Sequence, residues 1–391
     1  MILFYFVWPC YSYDKAKALP WRIEAKALSA TRIDHRWSVP QRGEVAGYRI
    51  YRNGAFHREV KTNYLSDRGL DPGTAYRYRV MVFYRQGGQA EIGAEIEVTT
   101  PHDLEDMVLV PAGEFLMGAG CGGYRTIADP VVRKAEEEAC RPLRKTYVSS
   151  FYIGKYEVTY EKWMEIYRWA VNHGYDFGYP PFKVSPVGQA GSQGKGKHMP
   201  VVMIQWYDAV KWLNARSEME GLKPCYYTDS KRQVVYRQGQ VDVPFEAVDF
   251  SASGYRLPTE AEWEKACRGG LEGKRYPWGG DRLDPEKGNF AESKTGGTVP
   301  VGSYPPSGYG LYDMAGNVWE LTNDRWAPGL DLRETKDPKG PKEGGERVRR
   351  GGGWSHAGFP YGRCDYRGRE KAARPPAYGQ RPYYGFRIVK K

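Results

Sequence analysis

The sequence predicts two domains: an all-β sandwich over residues 22–100, followed by a domain over residues 107–391 that contains both strands and helices and is rich in irregular loops. The length of 391 residues is too great for one ordinary domain. Strand-period alternation without a helical pattern fills the first region, whereas strand and helix patterns alternate in the second. The 47 Gly and 27 Pro residues favour short strands joined by many turns.

The first domain has alternating side chains over residues 33–37, 47–52 and 76–84, and a last strand is predicted over residues 94–99. Asn53-Gly54 predicts a two-residue hairpin turn. Strands at this spacing, with turns and no helix between them, indicate a β-sandwich. Trp37 and the run Asp71-Pro72-Gly73-Thr74-x-Tyr76-x-Tyr78 resemble a fibronectin type III domain. That resemblance implies an immunoglobulin-like spacer or adhesion unit without catalytic chemistry.

Two short segments flank this domain. Residues 1–21 have no assigned role: the apolar start, residues 1–8, lacks a basic residue and is short for a signal peptide, so a truncated signal and an edge strand both stay open. The start is also far too short to span a bilayer, and no transmembrane segment is predicted. Residues 101–106, which contain Pro101-His102-Asp103, are the predicted linker.

The second domain opens with a strand, a turn and a strand over residues 107–118. Residues 151–159 predict a strand that leads into a helix over residues 160–170, and residues 200–204 predict a buried strand. Trp206, Ala209, Val210 and Leu213 then recur at helical spacing. Thr259 and Glu262 have the spacing of a capping box at the start of a third helix. From about residue 271 onward we expect loops and short strands.

The net charge of +11 is concentrated near the C-terminus. Residues 341–391 contain thirteen Lys or Arg and four Asp or Glu, and 13 − 4 gives +9. A basic surface would favour an anionic partner, whereas Arg-rich packing would leave no such surface. No specific nucleic-acid site is predicted. The six cysteines include no CxxC spacing and the six histidines no metal-ligand spacing, so a structural zinc site is not expected.

Several motifs in residues 107–389 together resemble the formylglycine-generating enzyme (sulfatase-modifying factor) family. The resemblance implies an elaborated C-type lectin-like α+β domain. The motifs that carry it are Val110-Pro111-Ala112-Gly113, Glu157-Val158-Thr159, Arg256-Leu257-Pro258-Thr259-Glu260-Ala261-Glu262-Trp263-Glu264, Tyr276-Pro277-Trp278-Gly279, Gly308-Tyr309-Gly310-Leu311-Tyr312-Asp313-Met314-Ala315-Gly316-Asn317-Val318-Trp319-Glu320, Arg350-Gly351-Gly352-Gly353-Trp354 and Gly385-Phe386-Arg387.

The family's cysteine-oxidising members resemble one another in a reactive cysteine pair just after the Gly-rich start at Trp354. Residues 354–363 contain no cysteine here, so we predict no enzymatic activity and no catalytic cofactor. The resemblance also makes Cys267 and Cys364 a disulfide candidate, with two neighbouring buried thiols as the alternative.

The resemblance further implies a structural calcium site. Asp313, Gly316, Val318 and Glu320 match a family motif of two carboxylates with two backbone carbonyls between them. Hard oxygen ligands suit calcium. The alternative is that Asp313 and Glu320 accept hydrogen bonds from backbone amides. At the family's other calcium site, Asn289-Phe290 match the first half, but the loop after it lacks the expected Asp.

Residues 350–388 are the predicted ligand-binding and variable region. Their Tyr and Arg content is typical of binding hot spots. The segment resembles the variable region of diversity-generating retroelement variable proteins. That resemblance implies a fixed frame of residues 351–354, Cys364, Arg367 and residues 385–388. Trp354 is expected at the binding site, and the predicted solvent-facing variable positions are Ser355, His356, Gly358, Phe359, Tyr361, Gly362, Asp365, Tyr378, Gln380, Tyr383 and Tyr384.

The predicted function is therefore a non-catalytic display protein that binds a protein or another surface ligand. The alternatives are an enzyme of the same family with unrecognised chemistry, such as a metal-assisted oxidase, and a carbohydrate-binding surface module. The resemblance favours a bacterial or phage surface, or an extracellular location, over the cytoplasm.

Overall fold

The computed structural model describes residues 22–29, 32–38, 44–68, 70, 74–85, 91–100, 106–118, 130, 133–134, 143–178, 198–328, 334–372 and 384–391. The chain divides into two compact units, Met1–Glu105 and Asp106–Lys391. The predictions for residues 1–21, for most of the linker and for Tyr378, Gln380 and Tyr383 lie outside the described residues.

The N-terminal unit is all-β, as predicted, with two antiparallel sheets whose strand orders are β1-β2-β5 and β4-β3-β6-β7. Asn53 and Gly54 have positive φ and form the hairpin turn between β3 and β4, which confirms that prediction. Both sheets contribute to one core, which includes Trp37 and Tyr78. The strands are β1 Ile23–Ser29, β2 Arg32–Trp37, β3 Val45–Arg52, β4 Ala55–Val60, β5 Tyr64–Arg68, β6 Ala75–Tyr84 and β7 Glu91–Thr99.

Among its described residues, the C-terminal unit has three longer helices, α1 Tyr160–Val171, α2 Trp206–Met219 and α3 Glu260–Arg268. All three predicted helices are confirmed. Helices α1 and α2 pack through Trp163 and Trp212, whose rings stack at 5.6 Å. Helix α3 begins with the predicted capping box of Thr259 and Glu262. No helix among the described residues is both long and apolar enough to cross a bilayer.

Three small sheets complete this unit, with strand orders β10-β9, β16-β11-β8 and β14-β13-β12-β15. The last sheet joins distant parts of the chain, since β15, near the C-terminus, pairs with β12. That pairing is parallel, and the other neighbours in the sheet are antiparallel. The strands are β8 Met107–Val110, β9 Gly113–Met117, β10 Arg144–Val148, β11 Phe151–Gly154, β12 Trp319–Arg325, β13 Glu346–Arg350, β14 Gly368–Lys371, β15 Tyr384–Gly385 and β16 Val389–Lys390.

The predicted buried strand over residues 200–204 is wrong. Pro200 makes one isolated bridge to Thr159, and Met203 has a φ of 60°. The amide of Val201 donates to Val158 and that of Ile204 to Tyr384, so the segment bonds to two different parts of the chain and forms no ladder. The segment is apolar because it is buried just before α2. A short buried apolar run does not by itself distinguish a strand from a loop.

Candidate functional site

The predicted binding region begins where β13 ends. Gly351 and Gly352 follow that strand with φ of 89° and 75°. A Cβ at position 352 would lie 3.0 Å from the backbone carbon of Tyr361, so the chain needs glycine for this close approach. After this turn the side chain of Trp354 is buried, so the prediction that Trp354 contacts a ligand is wrong.

An aromatic cluster lies beyond this turn, with Trp319 of β12 at its centre. The ring centroids of His356, Tyr361 and Tyr366 lie 5.6, 5.9 and 6.1 Å from that of Trp319. Tyr384 of β15 packs against the same cluster. Trp319 and Tyr366 are buried, while the other three side chains are partly exposed. We call these five residues the aromatic face.

The orientation of His356 in this face is set by Trp319. The indole Nε1 of Trp319 donates to Nδ1 of His356 at 3.4 Å. Nδ1 is therefore the acceptor, and the proton of the neutral imidazole is on Nε2. The indole thus fixes both the tautomer and the direction of the ring.

Arg349 of β13 stacks on the aromatic face. Its guanidinium carbon lies 4.4 Å from the ring centroid of Trp319 and 5.0 Å from that of Tyr384. Its Nη1 donates to the hydroxyl of Tyr384 at 2.5 Å. Neither Arg349 nor Trp319 was predicted as a binding residue. The available signals were that Trp319 lies in a family motif and that Arg349 precedes the glycine turn.

Part of the predicted variable region does lie at the surface. Phe359 is 38% exposed. Ser355, His356, Tyr361 and Tyr384 are partly exposed, and His356 and Tyr361 are in edge-to-face contact at 5.5 Å. These five positions are therefore at least partly accessible to a ligand.

The solvent-facing prediction is wrong for Gly358, Gly362 and Asp365, which are buried. A Cβ at position 358 would lie 2.2 Å from Leu283 Cδ1, and one at position 362 would lie 2.5 Å from Phe290 Cε1. Both glycines therefore fill tight packing positions. The carboxylate of Asp365 pairs with the buried Arg363, whose Nε donates to it at 3.1 Å.

Beneath the aromatic face lies a layer of buried ion pairs. Nη2 of Arg350 donates to Glu264 at 2.6 Å, and Arg367 Nε donates to Glu260 at 3.0 Å. These contacts fasten the segment to α3. Burial alone would lower the pKa of Arg350, but the negative charges of Glu264 and Glu260 raise it above its ordinary value.

A second buried arginine joins the last residues to β12. Nε and Nη2 of Arg387 each donate to the carboxylate of Glu320 at 2.6 Å. We call Arg350, Arg367 and Arg387 the arginine frame. None of the three is more than 5% exposed, so much of the C-terminal basic excess lies in the interior. Arg-rich packing thus accounts for these three charges, and they form no basic surface.

The predicted calcium ligands have other partners. Glu320 accepts from Arg387 and, at 2.7 Å, from the indole of Trp263. The carboxylate of Asp313 accepts from the amide of Gly302 at 2.7 Å. The amide of Val318 donates to Glu157, whose carboxyl also accepts from Asn317.

This donor set does not fit a calcium ion. The charge of Glu320 is balanced by Arg387, and no three Asp, Glu, His or Cys side chains of the described residues converge on one point. Burial, with Glu320 nearby, raises the pKa of Asp313 to about 6, and burial raises that of Glu157 well above its ordinary value. The raised pKa of Glu157 favours its neutral form, which limits the excess negative charge. Calcium binding stays a prediction, and a chelator tests it.

Cys267 of α3 and Cys364 are neighbours in the core, and both are free thiols. Burial, followed by the hydrogen bond with Cys364, raises the pKa of Cys267 well above its ordinary value. Burial also raises the pKa of Cys225 to about 12. The structure describes Cys267 and Cys364 as two neighbouring buried thiols, and a disulfide between them stays a prediction.

Comparison with known proteins agrees with the motifs. A formylglycine-generating enzyme from Mus musculus is 36% identical over 281 residues, which is 67% of this chain and 69% of that protein. The corresponding enzyme from Bos taurus is 32% identical over 295 residues, 71% of this chain and 74% of that protein.

The solved structure of Treponema denticola variable protein 1 has the same fold as the C-terminal unit. It aligns with a TM-score of 0.53 at 24% identity and covers 75% of this chain and 95% of its own. Residues 94–391 match the family described as "Sulfatase-modifying factor enzyme 1-like domain". Since this match spans most of the sequence, the chain belongs to the sulfatase-modifying factor enzyme 1-like family.

Proposed function

We propose that this chain is a non-catalytic display protein that binds a protein ligand through the aromatic face. The observation that carries this proposal is the chemistry of residues 354–363. Where the family's enzymes need two reactive cysteines, this chain has the partly exposed rings of His356 and Tyr361. The described cysteines, Cys225, Cys267 and Cys364, are all buried.

The physical character of the face supports binding. Tyrosine and histidine offer large contact areas with few rotatable bonds, so ordering them on binding loses little conformational entropy. The arginine frame and the stacked Trp319 hold these side chains in place before a ligand arrives. Preorganisation of this kind raises affinity because less freedom is lost on binding.

Selection from a displayed library of random peptides tests the proposal. We expect binders that compete with one another for the full-length protein and that bind Tyr361→Ala at least roughly 10-fold more weakly, as for a hot-spot residue. Binders that are insensitive to both Tyr361→Ala and His356→Ala, or a library that yields none, would contradict binding at this face.

We further propose that the chain is the variable protein of a diversity-generating retroelement. The resemblance of residues 350–388 supports this, as does the separation of partly exposed positions such as Ser355 and Tyr361 from a buried frame. The test is genomic. A near-copy of the DNA for residues 350–388 should lie beside a reverse transcriptase gene and differ mainly at template adenines. Absence of any such copy would contradict diversification without affecting ligand binding.

The alternative function is an enzyme of the family, and the relatives from mouse and cattle, both named formylglycine-generating enzymes, favour it. The measurement is turnover of a cysteine-containing peptide by protein supplied with copper or iron. We expect no product above a metal-only control. Stoichiometric metal together with peptide oxidation would establish the enzyme instead.

For the N-terminal unit we propose a fibronectin type III-like spacer that holds the C-terminal unit at a bacterial, phage or extracellular surface. Its two sheets of three and four strands around one core support a sandwich of that kind. External protease should then cleave the chain on intact producing cells or particles. Protection until lysis would contradict the surface location.

A further inference from the structure

Arg349 differs from the buried arginines around it. Its side chain is 18% exposed, and its ion pair with Glu370 is long, with Nη1 3.5 Å from the carboxylate. The same Nη1 donates to the hydroxyl of Tyr384. Among the residues that the structure describes, no hydrogen-bond acceptor contacts Nη2. The guanidinium is thus held in place while one of its donor groups has no partner.

The surroundings of Arg349 leave Nη2 as the donor available to a ligand. Nε is buried without a hydrogen-bond partner. It lies beneath Gly368, where a Cβ would come within 2.8 Å of Nε. The rings of Trp319 and Tyr384 contact the guanidinium and restrict its rotation. Stacking of this kind leaves the in-plane N–H groups free to bind an anion.

We propose that Arg349 determines the specificity of the aromatic face by binding an Asp or Glu side chain of the protein ligand. This inference rests on the proposed function. A carboxylate suits the site because a fixed guanidinium forms charge-assisted hydrogen bonds with it, and the aromatic face excludes water around the pair. A nucleic acid suits it less, because the arginine frame that would add positive charge is buried.

Arg369 on the adjacent strand β14 provides a matched control. Its side chain is 45% exposed and already pairs with Glu346 at 3.7 Å. It stacks on Trp326, which is outside the aromatic face, at 4.6 Å. Arg349→Met and Arg369→Met remove the same charge from neighbouring strands, but only the first removes the proposed specificity determinant.

The experiment uses the full-length protein and peptides enriched from a random displayed library, with affinities measured by calorimetry. We expect the enriched peptides to share an acidic residue. Its replacement by the corresponding amide should weaken binding by roughly 10- to 100-fold. Arg349→Met should bind the parent peptide with a similar loss and no longer distinguish acid from amide. Arg369→Met should distinguish them as the wild type does.

Two further variants separate loss of recognition from loss of folding. Arg349→Lys keeps the charge without the planar fork, and Tyr384→Phe removes only the hydroxyl that holds Nη1. Both should retain the wild-type melting temperature within a few degrees and show a reduced preference for the acidic peptide. Unchanged preference in both variants would overturn the proposal.

The outcomes distinguish this inference from the proposed function. Enriched peptides that bind the aromatic face without needing an acid would overturn the role of Arg349 alone. A library that yields no binder would overturn both. Equal competition by heparin or single-stranded DNA would show a general response to negative charge and would also overturn specific carboxylate recognition.

Discussion

The arginine frame and the aromatic face belong to one segment of the chain but use arginine in opposite ways. In the frame, Arg350 and Arg387 are fully buried and pair with carboxylates at 2.6 Å. In the face, Arg349 contacts the rings of Trp319 and Tyr384, and its ion pair with Glu370 is longer, at 3.5 Å. Arg349 and Arg350 are adjacent in sequence and point to different environments. The count of charges in a segment therefore does not reveal whether they stabilise the fold or contact a ligand.

Breaking the frame should produce the largest effect. Glu264 accepts from Arg350, from Arg268 and from the amide of Gly118, so Glu264→Gln removes the closest carboxylate of two buried arginines and leaves Arg350 only its longer pair with Glu260. We expect the free energy of unfolding of the C-terminal unit to fall by about 3–5 kcal/mol. Urea titration monitored by tryptophan fluorescence measures this.

The control for that variant is Glu165→Gln, which breaks an exposed pair with Lys162 at 3.0 Å. Surface pairs contribute little, so the change should stay within about 0.5 kcal/mol. Equal effects of Glu264→Gln and Glu165→Gln would show that the buried ion pairs of the frame stabilise the protein no more than an exposed pair does.

A buried carboxylate next to α3 should impose a pH dependence. Asp324 of β12 is buried and accepts from the amide of Glu260, the first residue of α3, at 2.8 Å. Burial, followed by the charge of Glu260, raises its pKa to about 8. Because the folded-state pKa is higher than the unfolded value, the stabilisation is fully present below about pH 4 and is lost as the pH rises through 8.

Asp324→Asn should remove much of this loss. Its unfolding free energy should change less than that of the wild type between about pH 5 and 8. Chemical denaturation across that interval provides the comparison. Parallel curves for the two proteins would show that Asp324 titrates normally in the folded state.

Changes in the aromatic face should affect binding more than stability. Tyr361 is partly exposed and contacts Trp319 and Tyr366 at its edge. Tyr361→Ala should cost about 1 kcal/mol of stability, well below the Glu264→Gln effect, because little buried surface is lost. Thermal unfolding and peptide affinity should be measured on the same sample. A loss of stability as large as that of Glu264→Gln would show that Tyr361 mainly stabilises the fold, as the arginine frame does.

The smallest effect is expected from a chelator. Arg387 already compensates the charge of Glu320, so we expect the C-terminal unit to gain no free energy of unfolding from calcium binding. EDTA at neutral pH should therefore leave the melting temperature unchanged within about 1 °C. A clear decrease that excess calcium reverses would restore the calcium prediction. It would also show that a cation displaces the proton on Glu157.

The parts of the fold that follow from local sequence were predictable. The capping box at Thr259, the Asn53-Gly54 turn and the helix after Gln205 each depend on a few neighbouring residues. Family motifs located the glycine turn before Trp354. The wrong strand at residues 200–204 shows what local sequence does not determine. An apolar run indicates that a segment is buried, but it does not indicate which part of the chain covers it.

The composition of the face was not predictable in the same way. Trp319, Arg349 and Tyr384 meet because β15 pairs with β12 across a large sequence separation. The burial of Gly358 and Gly362 depends on Leu283 and Phe290, which come from an earlier loop. Neither the β12–β15 pairing nor the packing of these two glycines produces a periodic pattern in the sequence of residues 350–388.

The sheet order β14-β13-β12-β15 suggests a use in protein engineering. In sequence, residues 373–383 lie between β14 and β15, the two outer strands of this sheet, and each of these strands is hydrogen-bonded to an inner strand. The closure entropy of such a connection grows slowly, by about 0.6 kcal/mol for each doubling of length. A designer could therefore replace or lengthen the connection as a library of its own, while the existing strands keep its two ends in place.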